Sequence, residues 1–283
     1  MNPLQLQLQQ LYRDSTKHAN YQNVPTFVQE ALGYQESIDE SWRGDTARYA
    51  YLLRELDLQS GQYVADVGAN TGFFALSLAH RYPNCRFAAY ETNPNHVNFI
   101  RLVADAFELG NVTVQAKSVD LAGIDDLPNF DVLLHLNVLH HAGQDFDSGL
   151  VTEPQEMTPY AEAYLSKLAK RASTLAFQMG YNWGGDKTRP IIAPENQMAM
   201  VAWLSNLFRR TGWQISAMAF ATRNDFSEIM YRNLPVELAR AVHPACSDSA
   251  VLARVIDAYH LEQFTGEFHR RPLGICRSLE TKV

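Results

Sequence analysis

Apolar positions along this chain change their spacing several times, and each change marks a new element. Between Asp45 and Leu58, Tyr49, Leu52, Leu53 and Leu56 fall at i, i+3, i+4 and i+7, the stripe of an amphipathic helix. Gly61 ends that stripe, and Tyr63-Val64-Ala65-Asp66-Val67 follows as a short apolar run of the kind a buried strand carries. A second helix runs on to about Arg81 and is stopped by Pro83. Arg86 to Glu91 reads as the next strand. About Asn95 to Leu109 forms a helix with Val97, Ile100, Ala104 and Phe107 on one face and Gly110 as its stop. Val112 to Val119 and Asp131 to Val138 are the third and fourth strands.

The second half repeats the rhythm. A helix from about Pro159 to Arg171 precedes an apolar strand near Thr174 to Met179, and Tyr181 to Pro194, with Gly184, Gly185 and Pro190, is a loop. A helix from about Glu195 to Arg210 ends at Gly212, Trp213 to Phe220 reads as strand six, and Pro272 to Leu279 as the last strand. Strands alternating with helices predict an α/β fold, a mostly parallel sheet covered on both faces. Two segments lie outside this alternation. Residues 1–58 form a polar, aromatic-rich arm with short helices, including Thr26 to Leu32 closed by Gly33. Residues 222–271 form an insert with helical spacing at Val251, Val255 and Tyr259. The insert leaves from the carboxyl edge of the sheet, where parallel sheets bind ligands, so it is a candidate lid over a substrate. The body, residues 59–221 and 272–283, is the expected catalytic domain.

The chemistry concentrates where the first strand ends. Asp66-x-Gly68-x-Asn70-x-Gly72 is a turn bracketed by glycines, which tolerate positive φ and let backbone approach a ligand closely. Asparagine is among the few other residues that enter the left-handed region readily. The second strand ends in Glu91, at the spacing where a βαβ unit places an acceptor for ribose hydroxyls. A nicotinamide fingerprint would read G-x-G-x-x-G and hold a pyrophosphate; an aspartate just before the turn suits a ligand with a positive amino group and a sulfonium better. DVGANTGFFAL followed by YETNPNHVNFIRL resembles the class I S-adenosylmethionine-dependent methyltransferases, and most of all their FkbM-type branch. That resemblance covers Tyr51 to Gly143 well, and the later elements by their order. It implies a Rossmann-like sheet of seven strands, mostly parallel with the last antiparallel, and S-adenosyl-L-methionine as cofactor. It places Asp66, Gly68 and Gly72 at the methionine end and Glu91 at the ribose, with Asp120, at the end of the third strand, near the adenine amino group. Asn70, Phe73 and Thr92, beside these, complete the expected cofactor set.

Strand four runs into Leu136-Asn137-Val138-Leu139-His140-His141. Its carboxyl end abuts the first turn in this topology, so Asn137 is a polar contact to cofactor or acceptor. Either His140 or His141 is the candidate general base for a hydroxyl acceptor, because histidine titrates near neutral pH. A histidine in this string equally serves to start the next helix or shape a pocket. The arm from Tyr12 to Gln22, with His18 and Tyr21, is a candidate cover for the cofactor mouth, and Trp42-Arg43 and Trp183 are candidate walls for the acceptor.

Composition narrows the rest. The formal net charge is −7, which argues against a protein that grips nucleic acid mainly through phosphates. No apolar run approaches the length of a membrane span, and the start MNPLQLQLQQLYR lacks the pattern of a signal peptide. Cys85, Cys246 and Cys276 are odd in number and form no metal-ligand spacing, so a reducing cytoplasm without a metal site is expected. The favoured expectation is O-methylation of a small molecule or sugar-containing precursor. A tRNA-modifying transferase and a non-catalytic scaffold that kept the fold are the alternatives.

Overall fold

The computed structural model describes residues 3–12, 23–33, 44–193, 196–235, 249–259 and 267–280. Eight strands form one sheet in the order β3-β2-β1-β4-β5-β8-β6-β7. They are β1 Tyr63–Val67, β2 Arg86–Tyr90, β3 Val112–Gln115, β4 Phe130–Leu136, β5 Ala172–Gln178, β6 Trp213–Arg223, β7 Ile229–Asn233 and β8 Leu273–Ser278. β1 to β5 pair in parallel, whereas β8 runs antiparallel between β5 and β6. In register, Val67 lies beside Tyr90 and His135, and Leu136 beside Gln178. The parallel strands therefore finish along one edge, with Gly68, Glu91 and Asn137 just beyond it.

Alternate residues of the strands face opposite layers, as a pleat of period two requires. Ala65, Leu133, Leu175 and Phe177 pack with α6 (Met157–Ala169) and α7 (Gln197–Arg210). Val64, Val132, Leu134 and Ala176 pack instead with α3 (Asp45–Leu56) and α4 (Phe73–Arg81). Beyond α4, α5 (Pro94–Ala106) closes a third cluster with α1 (Pro3–Tyr12) and α2 (Thr26–Leu32), through Phe99, Leu8 and Val28. The helix starts carry local signals. Asn93 caps α5 by accepting from the Asn95 amide, with Pro94 at the first position, and Asn196 caps α7 by accepting from Ala199. Among the described residues no helix is long and apolar enough to cross a membrane.

The sheet has one strand more than expected, and it comes from the insert. β6 continues to Arg223, and β7 folds back on it with Ala221 opposite Tyr231. The turn between them is set by Asn224, whose side-chain oxygen accepts from the amides of Phe226 and Glu228. Tyr231 is buried between exposed Met230 and Arg232, so the strand alternation is present in the sequence but very short. The insert, expected to be helical, thus also supplies a strand. Its helical spacing belongs to α8 (Ser249–Tyr259), where Val255 and Tyr259 are buried, and to the four-residue α9 (Glu267–Arg270). The third strand also stops at Gln115, short of the expected Val119. Residues 13–22, with His18 and Tyr21, and Trp42-Arg43 lie outside the described residues, as does Cys246.

Candidate active site

A cavity of about 630 Å³ lies along the carboxyl edge of the sheet. One half is bounded by Gly68, Asn70, Tyr90, Glu91, Thr92 and Val119. The other is bounded by Asn137, His140, His141, Asp145, Phe268 and Arg271. In the first half the turn after β1 is folded back on β2: the amides of Gly68 and Ala69 both donate to the Tyr90 carbonyl, at 2.9 and 3.0 Å. Gly68, Asn70 and Gly72 all have positive φ (68°, 52° and 78°). A Cβ on Gly68 would also lie 2.5 Å from Val138 Cγ2, so the turn and the start of the His140-His141 segment touch at this glycine.

Glu91 ties this half together. Its Oε2 accepts from the Asn70 amide at 2.7 Å, and its Oε1 accepts from the amides of Thr92 and Asn93 at 2.9 and 2.8 Å. A carboxylate offers about four acceptor positions, so three backbone amides leave room on Oε2 for a further donor. That is the chemistry a ribose hydroxyl needs.

Four expected cofactor residues stand behind the wall rather than in it. Asp66 is 3% exposed and accepts from the amide of Ala75 in the first turn of α4. Burial raises its carboxyl to about 7. Gly72 precedes α4, and a Cβ there would lie 2.7 Å from Ile100 Cγ1. Phe73 is 2% exposed and belongs to the core beside α3. Asp120 accepts from the Gly123 amide at 2.6 Å and does not line the cavity, whose wall there is made by Lys117, Ser118 and Val119. The strand ends early, so the chain turns before Asp120 can face the ligand side.

The second half separates the two histidines. His140 is 2% exposed, and its Nδ1 accepts from the Gly180 amide at 3.2 Å. With its ring proton on Nε2, His140 is a donor. Burial, then the neighbouring His141 and Arg271, holds its pKa well below 6.5. His141 is half-buried, and its Nδ1 lies 2.9 Å from Asp145 Oδ2. A carboxylate this close favours a proton on Nδ1 and leaves Nε2 as the acceptor. Trp183 is buried, with its indole N–H donating to the Ala142 carbonyl at 2.7 Å; the cavity wall here is the following Gly184-Gly185.

Several side chains here, Asp145 and Phe268 among them, were not singled out in the sequence. Gln178, at the end of β5, is fully buried with its amide fully bonded. Its Oε1 accepts from Asn137 Nδ2 (2.9 Å) and Arg48 Nη1 (3.4 Å), and its Nε2 donates to Tyr231 Oη (3.2 Å) and the Arg271 carbonyl (3.0 Å). Arg271 donates to Asn137 Oδ1 at 2.8 Å and to Glu267 Oε1 at 2.7 Å. Burial would raise the Glu267 carboxyl, but Arg271 beside it holds it below its ordinary value. Arg48 pairs with Asp45 within α3. No local pattern marks either guanidinium: Arg48 sits within a helical run and Arg271 follows Arg270, whereas position in space makes them neighbours.

No family model matches this chain. It is 26% identical over 119 residues to N-methyltransferase 4 of Papaver somniferum, covering 41% of this chain and 33% of that protein. It is 27% identical over 105 residues to (S)-tetrahydroprotoberberine N-methyltransferase of Eschscholzia californica, covering 37% and 29%. The matched stretches span about a third of these curated relatives. Among solved structures, the bifunctional kinase-methyltransferase WbdD shares the fold with a TM-score of 0.50 at 18% identity, over 80% of this chain and 44% of that one. The chain therefore shares its fold with a solved methyltransferase and a stretch of sequence with curated N-methyltransferases. The Glu91 half of the cavity has the acceptors that the nucleoside of S-adenosylmethionine, the expected cofactor, would require. Nothing in these comparisons singles out the FkbM-type branch.

Proposed function

We propose that this methyltransferase moves the methyl group of S-adenosylmethionine onto a hydroxyl oxygen of a small-molecule or sugar-containing acceptor, with His141 as general base. One observation carries the reading: a single cavity runs from the ribose-type acceptor Glu91 to the His141–Asp145 pair. Within it Glu91 would hold the ribose, and the Gly68–Asn70 turn would border the amino-acid tail. Arg48, whose charge bears on buried Asp66, is the cation placed for the tail's carboxylate. When bound, the cofactor supplies an electrophilic methyl group on a sulfonium, and attack by the acceptor's lone pair sends the carbon–sulfur bonding pair to sulfur. His141 Nε2 takes the hydroxyl proton as the new bond forms, and Asp145 stabilises the imidazolium that results. His140, neutral and donating, orients the acceptor. The enclosing residues exclude water, which would otherwise compete for the acceptor's hydrogen bonds.

An amine acceptor is the second reading, favoured by the N-methyltransferase names of the matched relatives. The His141–Asp145 pair serves it equally, since an ammonium must also lose a proton before attack. Calorimetry with S-adenosylhomocysteine tests the cofactor half: wild type is expected to bind and Glu91→Ala to lose at least tenfold in affinity. Methyl-label transfer to hydroxyl-bearing and amine-bearing acceptor libraries tests the other half. His141→Ala is expected to lower single-turnover rate by about 10²–10⁴ without weakening S-adenosylhomocysteine. An unchanged rate would remove the base assignment.

A further inference from the structure

We propose that Arg271 and His140 form a subsite for a carboxylate on the methyl acceptor, which makes the substrate a small hydroxy- or amino-carboxylate. The inference rests on the methyltransferase reading of the cavity and adds the substrate class. Its geometry centres on Gly180. A Cβ built there would lie 2.9 Å from both Arg271 Nη2 and His140 Nε2. The two donors are therefore close enough to be bridged by the oxygens of one carboxylate. A side chain at position 180 would crowd both, and both residues line the cavity.

Each group is prepared to donate. Gly180 packs against the imidazole of His140, and with the ring proton on Nε2 that nitrogen is a donor. Arg271 has five N–H donors, of which Asn137 and Glu267 engage one each and fix the plane of the fork. Its Nε is buried with no hydrogen-bond partner among the described residues. Guanidinium groups match carboxylates through paired N–H···O bonds, which a lone ammonium does not reproduce.

The charge of the cavity agrees. Arg48, Lys117, Lys187 and Arg271 line it against Glu91, Asp145 and Glu267, a surplus of one positive charge in a chain of net charge −7. Both arginines lie over the Phe268 ring, 4.9 and 4.7 Å from its centroid. Arg48 is on the side of the β1 turn, which leaves Arg271 for the acceptor. The rings of His140 and His141 are 4.3 Å apart between centroids. A carboxylate held by the first therefore places a nucleophile two to four bonds away beside the second.

The test is calorimetry on the full chain saturated with S-adenosylhomocysteine, titrated with 2-hydroxybenzoate and lactate and with the neutral amide of each. Each acid is expected to bind at least tenfold more tightly than its amide. Arg271→Met and Gly180→Ala are each expected to weaken the acids at least tenfold while the Kd for S-adenosylhomocysteine stays within twofold. Because Arg271→Met leaves Glu267 without its partner, the double variant Arg271→Met/Glu267→Gln repeats the measurement with both charges removed. Acids that bind no better than their amides, or not at all, overturn the subsite. So does an Arg271→Met variant whose affinity for S-adenosylhomocysteine falls as far as that for the acids, since the guanidinium would then serve the cofactor's own carboxylate. A wild-type chain that binds no S-adenosylhomocysteine overturns the methyltransferase reading first, and that outcome is visible before any acid is added.

Discussion

Asp66 shows how much one buried carboxyl can depend on its surroundings. The Ala75 amide favours its charged form, but removal from water outweighs that bond and raises its pKa to about 7. The folded chain then holds this proton more tightly than the unfolded chain, whose carboxyl titrates near 3.8. The stability this group contributes is complete below the unfolded value and is lost as pH rises through about 7. Asp66→Asn keeps the neutral shape at every pH. Relative to that variant, wild type is expected to lose on the order of 2–4 kcal/mol between about pH 4 and pH 8, measured by urea unfolding. Parallel stability profiles for the two proteins would show that Asp66 is solvated as an ordinary carboxylate. The same residue scale explains why Asp66 was legible as important but not as buried: an aspartate beside a glycine turn reads alike whether it faces a ligand or the first turn of a helix.

At the scale of elements, the β1–α4 unit is fixed by steric fit as much as by backbone freedom. Gly68 has φ 68° and faces Val138 Cγ2, so an added methyl meets both a strained backbone and a filled neighbour. Gly68→Ala is expected to cost about 2–4 kcal/mol from the left-handed backbone and the overpacking together. Adding Val138→Ala relieves the clash but not the φ, so the double variant is expected to recover only part of the loss in urea titrations. Full recovery would show that the backbone is unstrained. The turn, the helices α3 to α7 and their order were readable because each has a sustained apolar period or a strong stop. β7 was not, because five residues with one buried side chain carry almost no periodic signal. Its pairing is supplied by β6 and by an Asn224-centred turn.

Across the whole molecule, Gln178 joins elements far apart in sequence: α3 through Arg48, β4 through Asn137, β7 through Tyr231 and the approach to β8 through Arg271. All four bonds are made by one buried amide, so its loss leaves several polar groups without partners. Gln178→Leu is expected to destabilise the chain by about 2–4 kcal/mol and to weaken S-adenosylhomocysteine, because it releases Arg48. Gln178→Glu tests the polarity separately: it keeps the shape and the acceptor oxygen but replaces the donor to Tyr231 Oη and the Arg271 carbonyl with a second acceptor. A fall in stability with unchanged ligand affinity in both variants would confine Gln178 to a structural role.

The sequence by itself determined the alternation of strands and helices, the glycine turn, and the acid at the end of the second strand. Those features are local: a period, a backbone conformation or a fixed spacing is written in neighbouring residues. Tertiary structure decided which carboxylates face the cavity, since Glu91 reaches the turn while Asp66 and Asp120 hold backbone amides behind it. It also separated His140 from His141, through a backbone donor from one loop and a carboxylate from another. Arg48 and Arg271, more than two hundred residues apart in the chain, both came to lie over one phenylalanine ring. The packing of distant segments, rather than any local pattern, sets which partner a polar side chain meets, and so what chemistry it performs.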